Sequence, residues 1–395
     1  MCMESQKGSP SYNDLVARYE TLYHVGASKQ ALWKRVNDCC IDFFKSVLAK
    51  LIQAKISTQE IEGFKSLAKY KRVIIQDSTI IKLPSHLYQQ YPGVSNSKFS
   101  ACNVRVQGVY DLLSGRFLQL SIDPYSKNDQ AAAPDLDIQP GDLVLRDRGY
   151  YSAGEVKRHV NNDADCIYRH KNNVLYLDPR SGKPIDLLAL LERFGTLDME
   201  VCLNNKEQTK VRLTALPAST QVANNRRRKA KRDMKGHNPP KELLRLMGWT
   251  IFITTITAAK ANFHQLLNIY RLRWRIEIIF KTWKSYLQFD RMHNISNLQF
   301  QALMTARLIM IVLLTHALYV PYYNKIEHQY KRQLSMMKFL NFLVKNPERI
   351  WTLLFELKRN SVSLDLVCKT LVKYCSNDLR KRPTLKKLER DILLS

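Results

Sequence analysis

The spacing of apolar positions changes several times along the 395-residue chain, and each change predicts a different kind of element. Up to about residue 70 the spacing is three or four, which is typical of amphipathic helices. The recurring residues are Leu32, Val36, Cys39, Phe43, Val47 and Leu51. A further helix is expected from Ser57, because Ser57 and Glu60 have capping-box spacing. Residues 1–70 are therefore predicted to form a helical N-terminal domain.

Short apolar runs with β-branched residues follow. The runs RVIIQD, which closes with Asp77, and DLVLRD, which closes with Asp147, are typical of strands buried on both faces. Between them, SACNVRVQGVYDLLSGRFLQLSI predicts a hairpin that turns at Ser114-Gly115. A helix should begin after Asp147, since Ser152 and Glu155 have capping-box spacing. Residues 71–162 are therefore predicted to be the first part of an α/β core.

Residues 163–248 show short strand patterns and a concentration of positive charge. Between Ala223 and Arg245 there are nine Lys or Arg against two Asp or Glu. A final strong strand, WTIFITTI, begins at Trp249, and the pattern is helical from about Asn262 onwards. This order predicts a mixed-sheet α/β core with a β-rich basic insertion at 163–248, a second core part at 249–300, and a helical C-terminal segment at 301–395.

The overall charge predicts a polyanionic partner. The formal net charge is +27 and the sequence pI is about 9.7. Nucleic acid is the usual partner of such a chain, and an anionic membrane is the alternative. The most apolar run, LMTARLIMIVLLTHALY from Leu303, is interrupted by Arg307 and His316, so we interpret it as a buried helix and expect no membrane span. No cysteine pair has zinc-ligand spacing, which favours reduced, mostly buried thiols in the cytoplasm.

One helix is predicted across YRLRWRIEIIFKTWK, from Tyr270 to Lys284. At 100° per residue its polar stripe lies within an arc of about 80°; the stripe contains Tyr270, Arg273, Glu277, Lys281 and Lys284. The opposite side is apolar and contains Leu272, Ile276, Ile279, Trp283 and Leu287. A solvated helix face alone would explain the charged residues, because opposite charges four positions apart are common on exposed helices.

Two further carboxylates change this interpretation. Asp77 and Asp147 follow buried strands, whose ends gather at one edge of a sheet, and a helix packed on that sheet could bring Glu277 beside them. Three converging carboxylates repel one another unless a divalent cation binds them. Carboxylate oxygen suits Mg²⁺ or Mn²⁺, and two such ions can support phosphodiester cleavage. The rival acids for the first two places are Asp111, Asp123, Asp129, Asp135 and Asp137.

The same residues resemble a known family. Tyr270, Arg273, Glu277 and Lys284 have the spacing Y-x2-R-x3-E-x6-K, which resembles the YREK signature of the IS-four family of bacterial insertion-sequence transposases. These belong to the DDE class and have a ribonuclease-H-like catalytic fold. QDST around Asp77 and DRGY around Asp147 resemble the two aspartate motifs of the family. The mainly β insertion of the family fits the long interval between Asp147 and Glu277.

The resemblance implies a role for each site residue. Asp77, Asp147 and Glu277 would be the catalytic metal ligands, for two Mg²⁺ ions that Mn²⁺ may replace. Arg273, Lys281 and Lys284 would contact DNA phosphates, and Tyr270 a phosphate or a base. Trp249 would stack on a flipped base at the transposon end. The basic run from Arg226 is interpreted as a DNA-facing loop rather than a solvated one; the further DNA contacts considered are Arg148, Arg169, Arg226, Arg227 and Arg228.

The implied activity is cut-and-paste transposition of an insertion sequence through a hairpin intermediate. Its partners would be double-stranded DNA, both terminal inverted repeats and target DNA, with a homodimer on paired ends in the bacterial cytoplasm, at the nucleoid. Residues 1–70 would recognise the ends, and residues 301–395 would form the dimer. Two alternatives remain open: a DNA nuclease or junction resolvase of the same fold, and a catalytically inactive DNA-binding protein derived from a transposase.

Overall fold

The computed structural model describes residues 11–54, 67–93, 101–126, 133, 135–234, 238–292, 295–359 and 363–377. The helix predicted at Ser57, the rival acid Asp129 and the basic C-terminal run LRKRPTLKKLER lie outside these ranges. The strands are β1 (Arg72–Lys82), β2 (Asn103–Asp111), β3 (Arg116–Pro124), β4 (Asp142–Arg146), β5 (Asp165–Arg169), β6 (Tyr176–Leu177), β7 (Leu197–Leu203), β8 (Lys210–Pro217) and β9 (Trp249–Thr254).

The helices of the described residues precede the strands, lie between some of them, and follow the last strand in the sequence. They are α1 (Tyr12–Tyr23), α2 (Lys29–Arg35), α3 (Asp38–Gln53), α4 (Ala153–Asn161), α5 (Leu187–Phe194), α6 (Thr220–Asp233), α7 (Lys241–Leu246), α8 (Phe263–Arg271), α9 (Trp274–Tyr286), α10 (Asn297–Val312), α11 (Val320–Tyr330), α12 (Met336–Lys345), α13 (Arg349–Arg359) and α14 (Ser363–Cys375). The segment between β5 and β9, predicted to be β-rich, contains β6, β7 and β8 and also α5, α6 and α7.

The chain divides into two compact units, and neither is continuous in sequence. The first comprises Met1–Lys65, Asp77–Pro134 and Trp274–Thr384. The second comprises Ser66–Gln76, Asp135–Arg273 and Leu385–Ser395. The five sequence segments predicted above follow the order of elements along the chain, and they stay a prediction.

The second unit contains a mixed sheet in the order β1-β4-β5-β9-β8-β7-β6, to which β1 contributes its first half. Strands β1, β4 and β5 are parallel, and the pairs from β5 onwards are antiparallel. All five residues of β4 are buried, as its apolar pattern predicts. Helix α4 follows with Ser152 as N-cap, whose hydroxyl accepts the Glu155 N–H, so this predicted helix start is confirmed. The predicted α/β fold class with a mixed sheet and flanking helices is confirmed.

The first unit contains the predicted hairpin. Strands β2 and β3 pair antiparallel, and Gly115 in the turn has φ +69°, a conformation that favours glycine. Helix α9 packs closely on the hairpin at Gly108, where a Cβ would stand 3.1 Å from Phe280 Cζ. The Trp283 ring lies 5.2 Å from Phe117 on β3. The residues predicted for the apolar side of this helix region are all buried: Leu272, Ile276, Ile279, Trp283 and Leu287.

The N-terminal pattern was only partly predictive. Helix α2 ends before Val36, and a new helix, α3, begins after Asn37, whose side chain accepts the Cys40 N–H. This restart changes which side of the helix faces inward. Ile41 is 2% exposed, whereas Phe43, which the pattern assigned to the apolar side, is 63% exposed. The prediction for Phe43 is therefore wrong.

The apolar run from Leu303 lies in a continuous helical stretch of the first unit, in which a π-helical segment, Leu313–Tyr319, joins α10 to α11. Among the described residues, Asn297–Tyr330 alone is long and apolar enough to cross a membrane, and 89% of its most apolar window is buried inside the protein. Arg307 donates to the carbonyl groups of Phe289 and Arg291, and His316 Nε2 accepts the Phe117 N–H. Because the polar interruptions have partners inside the unit, the prediction of a buried helix is confirmed.

Candidate active site

Strands β1 and β4 are parallel neighbours in the second unit, and each of the two aspartates directly follows, in the sequence, the paired residues of one strand. The register of β1 and β4 runs from Arg72 opposite Asp142 to Gln76 opposite Arg146. Asp77 and Asp147 are the residues that directly follow this last pair. The sequence predicts that Asp77 ends its strand, and this is wrong, because β1 continues to Lys82. Asp77 instead follows the last residue of β1 that pairs with β4.

The carboxylate of Asp147 is not used to stabilise the turn that follows it. Asp147 is the N-cap of a 3₁₀ turn over Arg148–Tyr150, and its backbone carbonyl accepts the Tyr150 N–H at 3.0 Å. Aspartate at such a position usually caps with its side chain. Here the side chain makes no capping hydrogen bond and is half-buried. The carboxylate is therefore not committed to capping this turn.

Glu277 lies in the first turn of α9, and α9 is tied to the second half of β1 within the first unit. Lys284 Nζ donates to the Ile80 carbonyl at 2.7 Å, and Ile80 is on β1, three residues beyond Asp77. Burial lowers the pKa of Lys284 from its ordinary value. Lys284, predicted to contact phosphate, is thus occupied in packing a helix on a strand. Lys281 is exposed, as a phosphate contact requires.

The donor chemistry of the three acids suits a hard divalent cation, since carboxylate oxygens are what Mg²⁺ and Mn²⁺ prefer. Asp77 and Glu277, like Asp147, are half-buried, and Asp77 Oδ1 accepts the Ser78 N–H at 2.8 Å. Within the described ranges, no group of three or more His, Cys, Asp or Glu is placed to hold a metal ion. The residues fit the ion by donor type, and metal binding by this trio stays a prediction.

The rival acids in the described residues have structural roles. Asp111 is 4% exposed and accepts the N–H groups of Leu113 and Ser114, so it shapes the hairpin turn. The other contacts are a hydrogen bond from Ser121 to Asp123, an ion pair of Asp135 with Arg158, and a hydrogen bond from Gln139 to Asp137. Each of these rivals has a partner in the structure, and the choice of Asp77 and Asp147 stays a prediction.

Tyr270 does not share a helix with Glu277, because the predicted single helix is broken. Helix α8 ends at Arg271, and α9 begins at Trp274. Tyr270 is 8% exposed, and burial raises its pKa to about 12. Its hydroxyl donates to the Arg146 carbonyl at 3.3 Å, the residue before Asp147. The hydrogen bond indicates that Tyr270 positions the end of β4, and its contact with DNA stays a prediction.

Arg273 and Arg146 support the same region of the second unit. The half-buried Arg273 guanidinium lies 5.8 Å from the centre of the Tyr270 ring. Arg146 is 3% exposed and its Nη1 is 2.6 Å from Glu155 Oε2. This role of Arg146 was not predictable from the sequence, because an arginine inside an apolar strand run gives no signal of an internal ion pair.

Trp249 is the first residue of β9 and is held by its ring edge. The indole Nε1 donates to the Gly195 carbonyl at 2.8 Å, and the side chain is half-exposed. It lines a pocket together with Arg148, Arg169 and Arg226. Burial, together with the neighbouring Arg169 and Arg148, lowers the pKa of Arg226 to about 10. The pocket therefore combines an aromatic ring with several cations.

The basic run from Arg226 lies in the C-terminal part of helix α6 and is not a loop. Arg226 donates to the Trp249 carbonyl at 2.8 Å and to Thr250 Oγ1 at 3.0 Å. Arg227 donates to the Leu244 carbonyl at 2.9 Å. These two guanidinium groups hold the helix in place, and their role as DNA contacts stays a prediction. Arg228 is exposed. The N-cap Ser219 was the signal that could have identified this helix in the sequence.

Comparison with known proteins gives a family. The family model for the transposase DDE domain matches residues 69–313. The transposase for insertion sequence element IS231E of Bacillus thuringiensis subsp. finitimus is 27% identical over 343 residues, which cover 80% of this chain and 70% of that protein. The transposase for insertion sequence element IS1151 of Clostridium perfringens is 26% identical over 327 residues, 76% of this chain and 68% of that protein.

Among solved structures, a piggyBac transposase synaptic complex with hairpin DNA aligns with 97% of this chain and 76% of that chain, at 10% identity and a TM-score of 0.42. The family match itself covers more than half of the chain and includes Asp77, Asp147 and Glu277. The protein therefore belongs to the transposase DDE domain family.

Proposed function

We propose that this transposase moves an insertion sequence by metal-dependent cut-and-paste transposition, with Asp77, Asp147 and Glu277 as the ligands of two Mg²⁺ ions. The observation that carries the proposal is the register of β1 and β4, in which both aspartates follow directly after the last paired residues. The tie between Lys284 and Ile80, which packs the helix of Glu277 on β1, supports it. When bound, the ions would activate water and stabilise the leaving oxygen.

The chemistry consists of successive phosphoryl transfers. Hydrolysis at the transposon end frees a 3′ hydroxyl, which attacks the opposite strand to give a hairpin. Hydrolysis reopens the hairpin, and the released 3′ hydroxyl attacks target DNA. In each step an oxygen nucleophile displaces an oxygen leaving group at phosphorus, so one carboxylate site can serve all of them. Cleavage of both ends together requires a homodimer on paired ends, which belongs to the proposal.

Trp249 would accept a flipped base during hairpin formation. Its indole N–H bond to Gly195 fixes one ring edge, while the half-exposed ring lines the pocket with Arg148 and Arg169. Bases stack on such rings, and guanidinium groups beside them suit the adjacent phosphates. Trp249→Ala should slow hairpin formation more than first-strand nicking. A hairpin rate equal to that of the wild type would exclude this role.

The decisive experiment uses DNA that carries the ends of the element bracketing the gene. The wild-type chain should nick these ends with Mg²⁺, and pre-cut ends should be joined to a target plasmid. Glu277→Gln should abolish both reactions while leaving end binding intact, because it removes the ligand charge and keeps the side-chain volume. Glu207→Gln, at an exposed position, is the charge-matched control. Cleavage by Glu277→Gln at the wild-type rate would refute the assignment. Nicking without joining by the wild type would favour a nuclease instead.

A further inference from the structure

Helix α6 is held by its inner side and presents the opposite side to solvent. Its inner side contains the buried Ala223 and the anchoring residues Arg226 and Arg227, which bond to backbone carbonyl groups of Trp249 and Leu244. Ser219 caps its first turn. The helix therefore has a fixed orientation within the second unit, and its outer side chains stand on a rigid support.

The outer side has an ordered arrangement of polar residues. At 100° per residue, Gln221, Asn225, Arg228 and Arg232 fall within an arc of about 60°, at positions i, i+4, i+7 and i+11. Lys229 and Lys231 lie on opposite flanks of this line, about 80° from Gln221. All six side chains are exposed. The four side chains along the centre of this face can form hydrogen bonds in a plane. The two lysines beside them carry flexible ammonium groups.

The charge on α6 is not balanced within the helix. It contains six cations, from Arg226 to Arg232, and one acid, Asp233, which is 3.9 Å from Arg232. Solvated helices usually alternate charges at i and i+4. Arg228 and Arg232 place like charges at that spacing instead, which disfavours the helix. An anionic partner would reverse this effect, so the pattern indicates a binding surface rather than an ordinary solvated face.

We propose that α6 enters the major groove of duplex DNA and reads base sequence there. The major groove admits an α-helix, Asn and Gln suit adenine, and Arg suits guanine. Gln221, Asn225 and Arg228 would therefore face base edges, while Lys229 and Lys231 would contact the phosphates of the two strands. The deep, narrow major groove of double-stranded RNA cannot admit these side chains, so the partner is B-form DNA. This inference rests on the proposed function and identifies the element that reads sequence.

Sequence selection from a pool of random DNA duplexes tests the base contacts. The full wild-type chain should enrich a motif. Gln221→Ala combined with Asn225→Ala removes no charge. The double variant should lose preference at two or three adjacent positions and bind the wild-type motif at least about thirtyfold more weakly. An unchanged motif for this double variant would overturn the inference. So would a wild-type selection without any enriched sequence, or equal binding of a random double-stranded RNA pool.

A second pair of variants tests the flanks. Lys229→Ala combined with Lys231→Ala should weaken binding to every duplex equally and reduce the slope of log affinity against log salt by about 2. Lys358→Ala combined with Arg359→Ala removes the same charge from the exposed end of α13 and is the control. Equal effects of the two pairs would overturn the phosphate role of the flanks.

The outcome is separable from that of the proposed function. Glu277→Gln should select the same motif as the wild type although it does not cleave. If the Gln221 and Asn225 double variant selects the wild-type motif and Glu277→Gln does not cleave, the role of α6 is refuted and the catalytic assignment stands. A cleaving Glu277→Gln would refute the catalytic assignment and leave the role of α6 standing. Thermal unfolding of each α6 variant should match the wild type, because the changed side chains are exposed.

Discussion

The hydroxyl group of Tyr270 distinguishes a positioning role from contact with DNA. Tyr270→Phe removes this group and keeps the ring, which packs 5.1 Å from Phe252 and lies 5.8 Å from the Arg273 guanidinium. The side chain is 8% exposed. Because phenylalanine keeps the buried ring, the replacement leaves no cavity in the second unit. The change removes the hydrogen bond of the hydroxyl to the Arg146 carbonyl and its interaction with the Arg273 side chain.

The size of the effect follows from the hydrogen bond to the Arg146 carbonyl. Its length of 3.3 Å is beyond the usual range for O–H···O, so it should be weaker than average. A typical bond contributes about 0.5–1.5 kcal/mol net, and we expect about 0.5–1 kcal/mol here. This equals roughly a two- to fivefold change in the folding equilibrium. Tyr270→Ala would also create a cavity and should cost about 3–5 kcal/mol.

Urea unfolding and DNA binding, measured side by side, form the assay. Tyr270→Phe should lower the free energy of unfolding by about 0.5–1 kcal/mol. Its affinity for a duplex that the wild type selects should stay the same, and cleavage should slow only modestly, because Arg146 precedes Asp147. Unchanged stability together with a tenfold or larger loss of DNA affinity would refute our reasoning and return Tyr270 to the DNA surface.

Two other predictions concern acid stability and salt. Burial, with Arg146 and Arg158 nearby, lowers the pKa of His159 to about 3, and its Nε2 is 3.1 Å from the Tyr168 hydroxyl. In the unfolded chain His159 takes up a proton as the pH falls below about 6.5, whereas in the folded chain it does so only near pH 3. The contribution of the neutral, buried His159 to the free energy of unfolding is therefore fully present above pH 6.5 and is lost as the pH falls towards 3. Between pH 7.5 and pH 5.0 the free energy of unfolding, measured with urea, should fall by about 2 kcal/mol more for the wild type than for His159→Gln. Equal decreases for the two proteins would contradict this prediction. If about eight phosphates are neutralised, log affinity for duplex DNA should fall with log salt at a slope of about −7, whereas a nearly flat plot would contradict electrostatic binding.

The sequence predicted those features that depend on local chemistry. Ser114-Gly115 identified the hairpin because a turn there needs the positive φ that Gly115 adopts. Ser152 identified the start of α4, because an N-cap hydroxyl satisfies an otherwise unpaired N–H. The apolar side around Trp283 was predictable because burial follows the helical period.

Features that depend on tertiary structure were not predictable. The break between α8 and α9 has no glycine or proline, and the apolar period continues from Leu272 to Ile276, so the sequence shows one helix where the protein has two. The internal partners of Tyr270, Lys284 and Arg226 come from distant parts of the chain. A pattern of charge along one helix cannot distinguish such internal contacts from contacts with DNA.

The central claim is that Asp77, Asp147 and Glu277 bind the divalent ions used in cleavage. Mn²⁺ binding to the duplex-bound full chain, followed by electron paramagnetic resonance, tests it most directly. We predict two bound ions for the wild type and for the Glu207→Gln control, and weakened or lost binding for Asp77→Asn, Asp147→Asn and Glu277→Gln alike. Wild-type Mn²⁺ binding by all three variants would contradict the claim.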